Sequence, residues 1–406
     1  MNKKLAVYFL GTKIQDFFAA LYKFGFLLIF YQFNNSLIYT SALTASSIVV
    51  ARISMIGISP YLKKREPLIV TRYVNILLAV VAFVFVGTYK LWSGHVAGFF
   101  VLSIIFSSLE GIDNSFHYPI IPKLVEKDYL FKANSLNAIF TNINLIAAPI
   151  GTYFFYNATD LRGFLLLYGF ICLLSSFILK YIYNIIQNDD YEETKKAKNN
   201  DGFKKEWKRT FKVIKSSKYI MFCILVGVII NLIFASLSGV VMLDMGSMAG
   251  NQILGQTIIK VMISIGSLLG VYFVYKLNVK DNYDRYINIS LFVLLITLIM
   301  LSISSVDYLV YLEFLSLGVF IMFIMNSTGT FLQLVTPSDE LAAVYVFRST
   351  LYAVVVPLSH LLAGFILEYF GRSLFFAFSA ILLGIVIIIK NAKKISLLNK
   401  EIIEEK

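Results

Sequence analysis

Charge is what this chain lacks most. Only 15% of its 406 residues are charged, against 58% apolar, and the mean hydropathy is +0.76. A water-soluble domain carries nearer a quarter charged residues, so that class is excluded. Cysteine is scarce too: Cys172 and Cys223, both in apolar runs, offer neither a disulfide framework nor a metal site. With three histidines, no zinc-type spacing, no phosphate-binding Gly-rich loop and no Ser-His-Asp grouping, nothing points to an enzyme, a cofactor or a metal. Strict alternation of apolar and polar residues is missing, which argues against a β-barrel. The first apolar run has no small-residue cleavage site and is too long for a signal-peptide core, so it is expected to stay as a span.

What is present is a succession of apolar runs, each about 18 to 25 residues long, the length of an α-helix crossing a hydrocarbon core. The expected fold is all-α and integral to the membrane. Twelve helices are predicted at 14–33, 37–58, 68–88, 97–119, 133–156, 162–184, 219–241, 252–275, 286–304, 308–331, 342–367 and 373–390. They divide into a six-helix half (1–184), a linker (185–218), a second six-helix half (219–392) and a tail (393–406). In the linker, Phe203, Trp207 and Phe211 recur every four residues among lysines, the pattern of a helix lying on an anionic membrane surface; a solvated linker is the plainer alternative.

The net charge of +12 does not signal nucleic acid. Only Lys90, Arg162 and Arg372 fall in loops on one side, Lys23, Arg52, Lys260 and Arg348 are placed within spans, and the other basic residues gather on the opposite side. Positive charge marks the inner face. Both termini are therefore expected in the cytoplasm, in an inner or plasma membrane.

Two stretches share a layout. YPIIPKLVEKDYLFKANSLNAIFTNINLIAAPIG, ending at Gly151, and TFLQLVTPSDELAAVYVFRSTLYAVVVPLSHLLAG, ending at Gly364, each carry Leu-Val, an acidic turn and a helix leading to a proline, Pro149 or Pro357. A spacing near half the chain suggests a duplicated membrane domain. Pro122, Leu124, Val125, the run Ala133, Asn134, Ser135, Leu136 and then Pro149 resemble the loop and fifth helix of the major facilitator superfamily, in its branch of macrolide-efflux and enterobactin-exporter-type permeases. TPSDELAAVYVF resembles the branch's acidic turn before helix 11, with Ala342, Ala343 and Val344 replacing its usual Arg-Gly-Arg. Other loops depart further. GISPYLKKREPLIV has Lys63, Lys64 and Arg65 but no preceding Asp, KLNVKDNYDRY is degenerate, and the helix-5 element reads Ala148, Pro149, Ile150, Gly151, Thr152. The resemblance implies alternating access between two halves, with helices 1, 4, 7 and 10 lining a central cavity.

Ionisable residues at bilayer depth cost about 2.5 kcal/mol or more to insert and are functional candidates by default. Glu110, Asp113 and His117 share one face of helix 4, and Asp16 and Lys23 share one face of helix 1. Counted from the inner ends, Lys23 and Glu110 both lie about 13 Å deep. Glu110 with Asp113, neutralised by Lys23 in one conformation, is the expected proton-coupling site; a fixed ion pair is the plainer alternative. His117 is read as a gate residue beside Tyr118 and Pro119. On helix 5, Asn134, Asn137, Thr141, Asn144, Ala148 and Gly151 form a polar and small stripe, read either as helix packing or as substrate contact by Asn137, Thr141 or Asn144. Asn231, Asn326 and Tyr352 are further cavity candidates, and Pro149 and Pro357 are hinge candidates. Glu313 and Lys260 are expected to pair. Arg52 and Arg348 are expected to snorkel to the inner surface.

The expected function is secondary active transport by a monomer in the lipid bilayer, with proton-coupled efflux of an amphiphilic or drug-like small molecule implied by the resemblance. An importer of the same fold, a lipid-translocating permease and a non-transporting membrane sensor or immunity protein are the alternatives.

Overall fold

The computed structural model describes residues 3–62, 66–117, 120–125, 129–187, 211–215, 217–246, 252–277, 283–304, 307–337 and 340–392. Among these residues the chain is helical throughout, with no strand. It divides into two compact units, Met1–Lys195 and Lys196–Lys406.

The first unit contains α1 (Lys3–Asn34), α2 (Leu37–Leu62), α3 (Pro67–Gly87), α4 (Val96–His117), α5 (Leu130–Ala158) and α6 (Leu161–Gln187). Helix α1 begins well before the expected residue 14. Within the added part Gly11 is a packing notch: a β-carbon there would press on the Ile178 side chain of α6. An aromatic core joins α1, α4 and α6. Tyr22 stacks on Tyr168 with ring centroids 5.3 Å apart, and Phe106, Phe26, Phe99 and Trp92 continue the cluster. Such rings combine large apolar burial with favourable edge and offset geometries. Below them, Gln15 and Asn75 exchange amide hydrogen bonds of 2.7 and 2.9 Å, and Asn75 also donates to Ser175 at 3.3 Å. This buried network ties α1 to α3 and α6 with its polar groups satisfied.

The second unit contains α7 (Lys218–Phe234), α8 (Gln252–Lys276), α9 (Tyr283–Ile303), α10 (Asp307–Val335) and α11 (Leu341–Ala392). Residues 211–215 are also helical, and the Phe211 ring lies 6.3 Å from that of Phe347. The expected surface helix otherwise lies outside the described residues, with Phe203 and Trp207. So do Lys63, Lys64 and Arg65, residues 278–282 of KLNVKDNYDRY, and the tail.

The seventh apolar run departs from expectation. It leaves α-helical geometry at Ala235–Ser238, a 3-10 turn, and resumes as a buried helix, Val240–Gly246. The last two expected helices form one run, α11, broken at Gly371, whose φ of 77° suits a residue without a β-carbon.

Close packing follows small residues in both units. A β-carbon on Gly111 of α4 would collide with the Ala51 carbonyl of α2, and one on Gly266 or Gly270 of α8 would collide with carbonyls of α10. Membrane helices use such residues to approach closely, because lipid supplies no hydrophobic drive between them.

Among the described residues, ten helices are long and apolar enough to cross a membrane. One of them is the 50-residue run interrupted at Gly371. Helix α5, at 29 residues, is also long enough to span, but its polar stripe lowers its hydropathy. Large apolar side chains such as Ile56, Phe170, Phe177, Phe292 and Ile388 point outward, as a lipid-facing surface requires.

Candidate functional site

Helices α1 and α4 bring Lys23 and Glu110 together, with Nζ 2.6 Å from Oε2. The second carboxylate oxygen of Glu110 lies 3.4 Å from the Tyr168 hydroxyl, which donates to it. Tyr168 is fully buried in the stack with Tyr22. Glu110 is thus largely enclosed, 12% exposed, while Lys23 is 55% exposed. One turn further along α4, Asp113 is buried and lies within electrostatic reach of Tyr8, Tyr168 and Cys172. Asp16 pairs with Lys13 at 2.6 Å on its own helix. His117 ends α4, but its side chain, with Tyr118 and Pro119, lies outside the described residues.

At the end of this unit where α1 begins, a cavity of about 730 Å³ opens between α1, α2, α4 and α5. Its polar lining is Lys13, Asp16, Arg52, Asn114, Asn137, Thr141 and Asn144, with Tyr8 beside them. The α5 stripe is therefore divided between two tasks. Asn137, Thr141 and Asn144 line the cavity, although Asn144 also donates to the Lys13 carbonyl at 3.2 Å and the Thr141 hydroxyl bonds back to Asn137. Beyond them Ala148 is buried, Thr152 donates to the Leu21 carbonyl at 3.1 Å, and Gly151 abuts Leu21 and Phe17. That part packs.

In the second unit the candidates are used locally. Asn231 and Asn326 donate to carbonyls of their own helices, both at 2.8 Å. Tyr352 accepts a 2.6 Å hydrogen bond from Arg348. Glu313 is held by the Ser304 hydroxyl at 2.6 Å, rather than by the lysine expected for it, while Lys260 lies within electrostatic reach of His360. Both prolines are accommodated inside long helices, Pro149 in α5 and Pro357 in α11. The non-helical residue of α11 is Gly371. Past the break after α7, burial pushes the Asp244 carboxyl above its usual range, with the Arg372 guanidinium opposing.

Sequence reasoning passed over several residues. Asn114 was within reach, since it lies four residues from Glu110 on the same helical face. Arg52 lines the cavity and was expected only to snorkel. The Gln15–Asn75–Ser175 network had no local signal, because its members are far apart in sequence.

No curated protein sequence matches the chain. Its fold is shared by many solved structures, three of which follow. A bacterial homologue of the iron transporter ferroportin, inward-facing, matches at 14% identity and TM-score 0.66, covering 95% of this chain and 98% of that one. A bacterial homologue of the human lysosomal transporter Spinster, inward-facing and occupied, matches at 8% identity and TM-score 0.68, covering 93% and 94%. The nucleoside transporter NupG matches at 13% identity and TM-score 0.61, covering 95% and 98%. A family model described as Major Facilitator Superfamily matches residues 76–360, well over half of the chain. The chain belongs to the Major Facilitator Superfamily.

Proposed function

We propose that this chain exports an amphiphilic or drug-like small molecule in exchange for protons, by alternating access between two six-helix halves. On this reading the protein is a twelve-span monomer of the inner or plasma membrane with both termini cytoplasmic. It would stand near the macrolide-efflux and enterobactin-exporter-type branch that its fifth-helix segment resembles. The Lys23–Glu110 pair carries the proposal. A carboxylate enclosed by aromatic rings is tolerable only while a cation or a proton neutralises it. If a conformational change draws Lys23 away, a proton is the remaining way to discharge Glu110, so the two states differ in proton occupancy. Asp113, one turn along, gives the proton a second acceptor. The cavity bordered by Asn137, Thr141 and Asn144 supplies polar contacts beside apolar walls, which suits an amphiphile.

Accumulation of ethidium or a macrolide in cells expressing the chain tests this. Wild type should lower accumulation, a protonophore should abolish that effect, and Glu110→Gln should behave like empty vector. If no tested compound changes accumulation, efflux fails. If Glu110→Gln exports as well as wild type, transport stands and the coupling site lies elsewhere.

A further inference from the structure

Arg348, in the third turn of α11, has a different setting from the other cations within the helices. It is 9% exposed, too enclosed for a side chain that only snorkels to a surface. Its Nε donates to the Tyr352 hydroxyl at 2.6 Å, and its guanidinium carbon lies 5.2 Å from the Tyr352 ring centre and 5.8 Å from that of Tyr345. Tyr345 is itself tied to α10, donating to the Gly329 carbonyl at 3.0 Å. The arrangement depends on Gly227 of α7, where a β-carbon would collide with the Tyr352 hydroxyl; Gly329 of α10 lies beside Nη1 with room for a β-carbon. Among the described residues no carboxylate pairs with Arg348, and neither Nη nitrogen is sealed away without a partner.

A guanidinium held by Nε and flanked by two rings keeps its Nη edge fixed and available. That edge matches two oxygens of a carboxylate or phosphate. By contrast Lys390, another enclosed cation of the second unit, is held on both sides: it donates to Asp284 at 2.6 Å and to Asn288 at 2.7 Å. We propose that Arg348, positioned by Tyr352 and Tyr345, is the binding site for an oxyanion group, carboxylate or phosphate, on the transported molecule. The inference deepens the transport reading by giving the amphiphilic substrate an anionic end. A merely structural cation would not require Nε to be fixed by a tyrosine while the fork stays open.

The test uses the full chain purified in dodecyl maltoside and measures thermal stabilisation by 4-phenylbutyrate, phenyl phosphate and the neutral 4-phenylbutanamide. Both anions should stabilise wild type saturably and the amide should not. Arg348→Gln should remove the anion response. Arg348→Lys, which keeps charge but loses the two-point geometry, should weaken binding about tenfold, as expected for the loss of one charge-assisted hydrogen bond worth about 1.4 kcal/mol. Should Arg348→Gln not fold, Tyr352→Phe decides: freeing Nε should weaken anion binding several-fold without altering the net charge. Equal stabilisation by the amide, an undiminished response in Arg348→Gln or Tyr352→Phe, or no response to either anion would overturn the proposal. Stabilisation by phosphatidylglycerol in mixed micelles but by neither soluble anion would assign the site to a lipid headgroup, which also overturns it. Binding in detergent does not depend on proton coupling, so a failed efflux assay with intact anion binding removes the export reading and leaves this site standing.

Discussion

The two units handle buried charge differently. In the first, Glu110 is enclosed and its partner Lys23 is more than half exposed, so the pair has one fixed and one free member. In the second, Lys390 is the enclosed member and is locked between two acceptors on α9. On the proposed reading the first cation can leave its partner, whereas the second, held by two acceptors, cannot. Arg348 stands apart from both, because its fixed partner is a phenol rather than a carboxylate. An enclosed charge is costly in each case, and on the proposed reading the partner's freedom to move separates a candidate working part from a brace.

That contrast can be broken most severely at Lys23. Lys23→Gln should reduce export to empty-vector level in the accumulation assay while the protein still reaches the membrane, because Glu110 then lacks the cation that neutralises it in one of the two states. Unchanged export would make the pair a second brace. Lys390→Met should do the opposite. Breaking an enclosed, doubly bonded ion pair costs about 3 kcal/mol, so thermal stability should fall clearly while transport per folded molecule persists. Loss of transport at unchanged stability would erase the distinction between the units.

Smaller effects sharpen the comparison of packing. Gly111→Ala and Gly270→Ala should each destabilise by about 1–3 kcal/mol, since in both a methyl group must displace a facing helix carbonyl. Gly384→Ala, with open space around it, should be neutral or slightly stabilising. Thermal unfolding of the three variants side by side checks this, and equal values would show that close approach is not what the glycines provide. Asn75→Ala should cost about 1–3 kcal/mol by leaving the Gln15 amide unsatisfied. A neutral result there would mean that water replaces the lost partner.

Most of the helical layout was legible because apolar run length is a direct consequence of bilayer thickness. Turn chemistry was legible less often. The first helix was expected to start at residue 14 but begins at Lys3, and nothing in the apolar run around Ala235–Gly239 announces a break. At the site, Lys23 and Glu110 could be paired from depth alone, since rise per residue converts sequence into height. Height does not say which way a side chain turns. Arg348 was therefore assigned to the surface although Tyr352, four residues on, was a partner at helical spacing. Glu313 was matched to Lys260 by opposite charge, when the hydroxyl of Ser304 was the nearer group. Contacts between distant segments, as in the Gln15–Asn75–Ser175 network, leave no periodic trace and needed the fold.

The central claim is that Glu110 couples substrate movement to protons. Its most direct test is transport, in proteoliposomes under an imposed pH gradient, of the compound whose accumulation the chain lowers, with substrate exchange at zero gradient measured in parallel. Wild type should show both activities, and Glu110→Gln should lose gradient-driven transport while retaining exchange. Gradient-driven transport by Glu110→Gln at the wild-type rate would contradict the account.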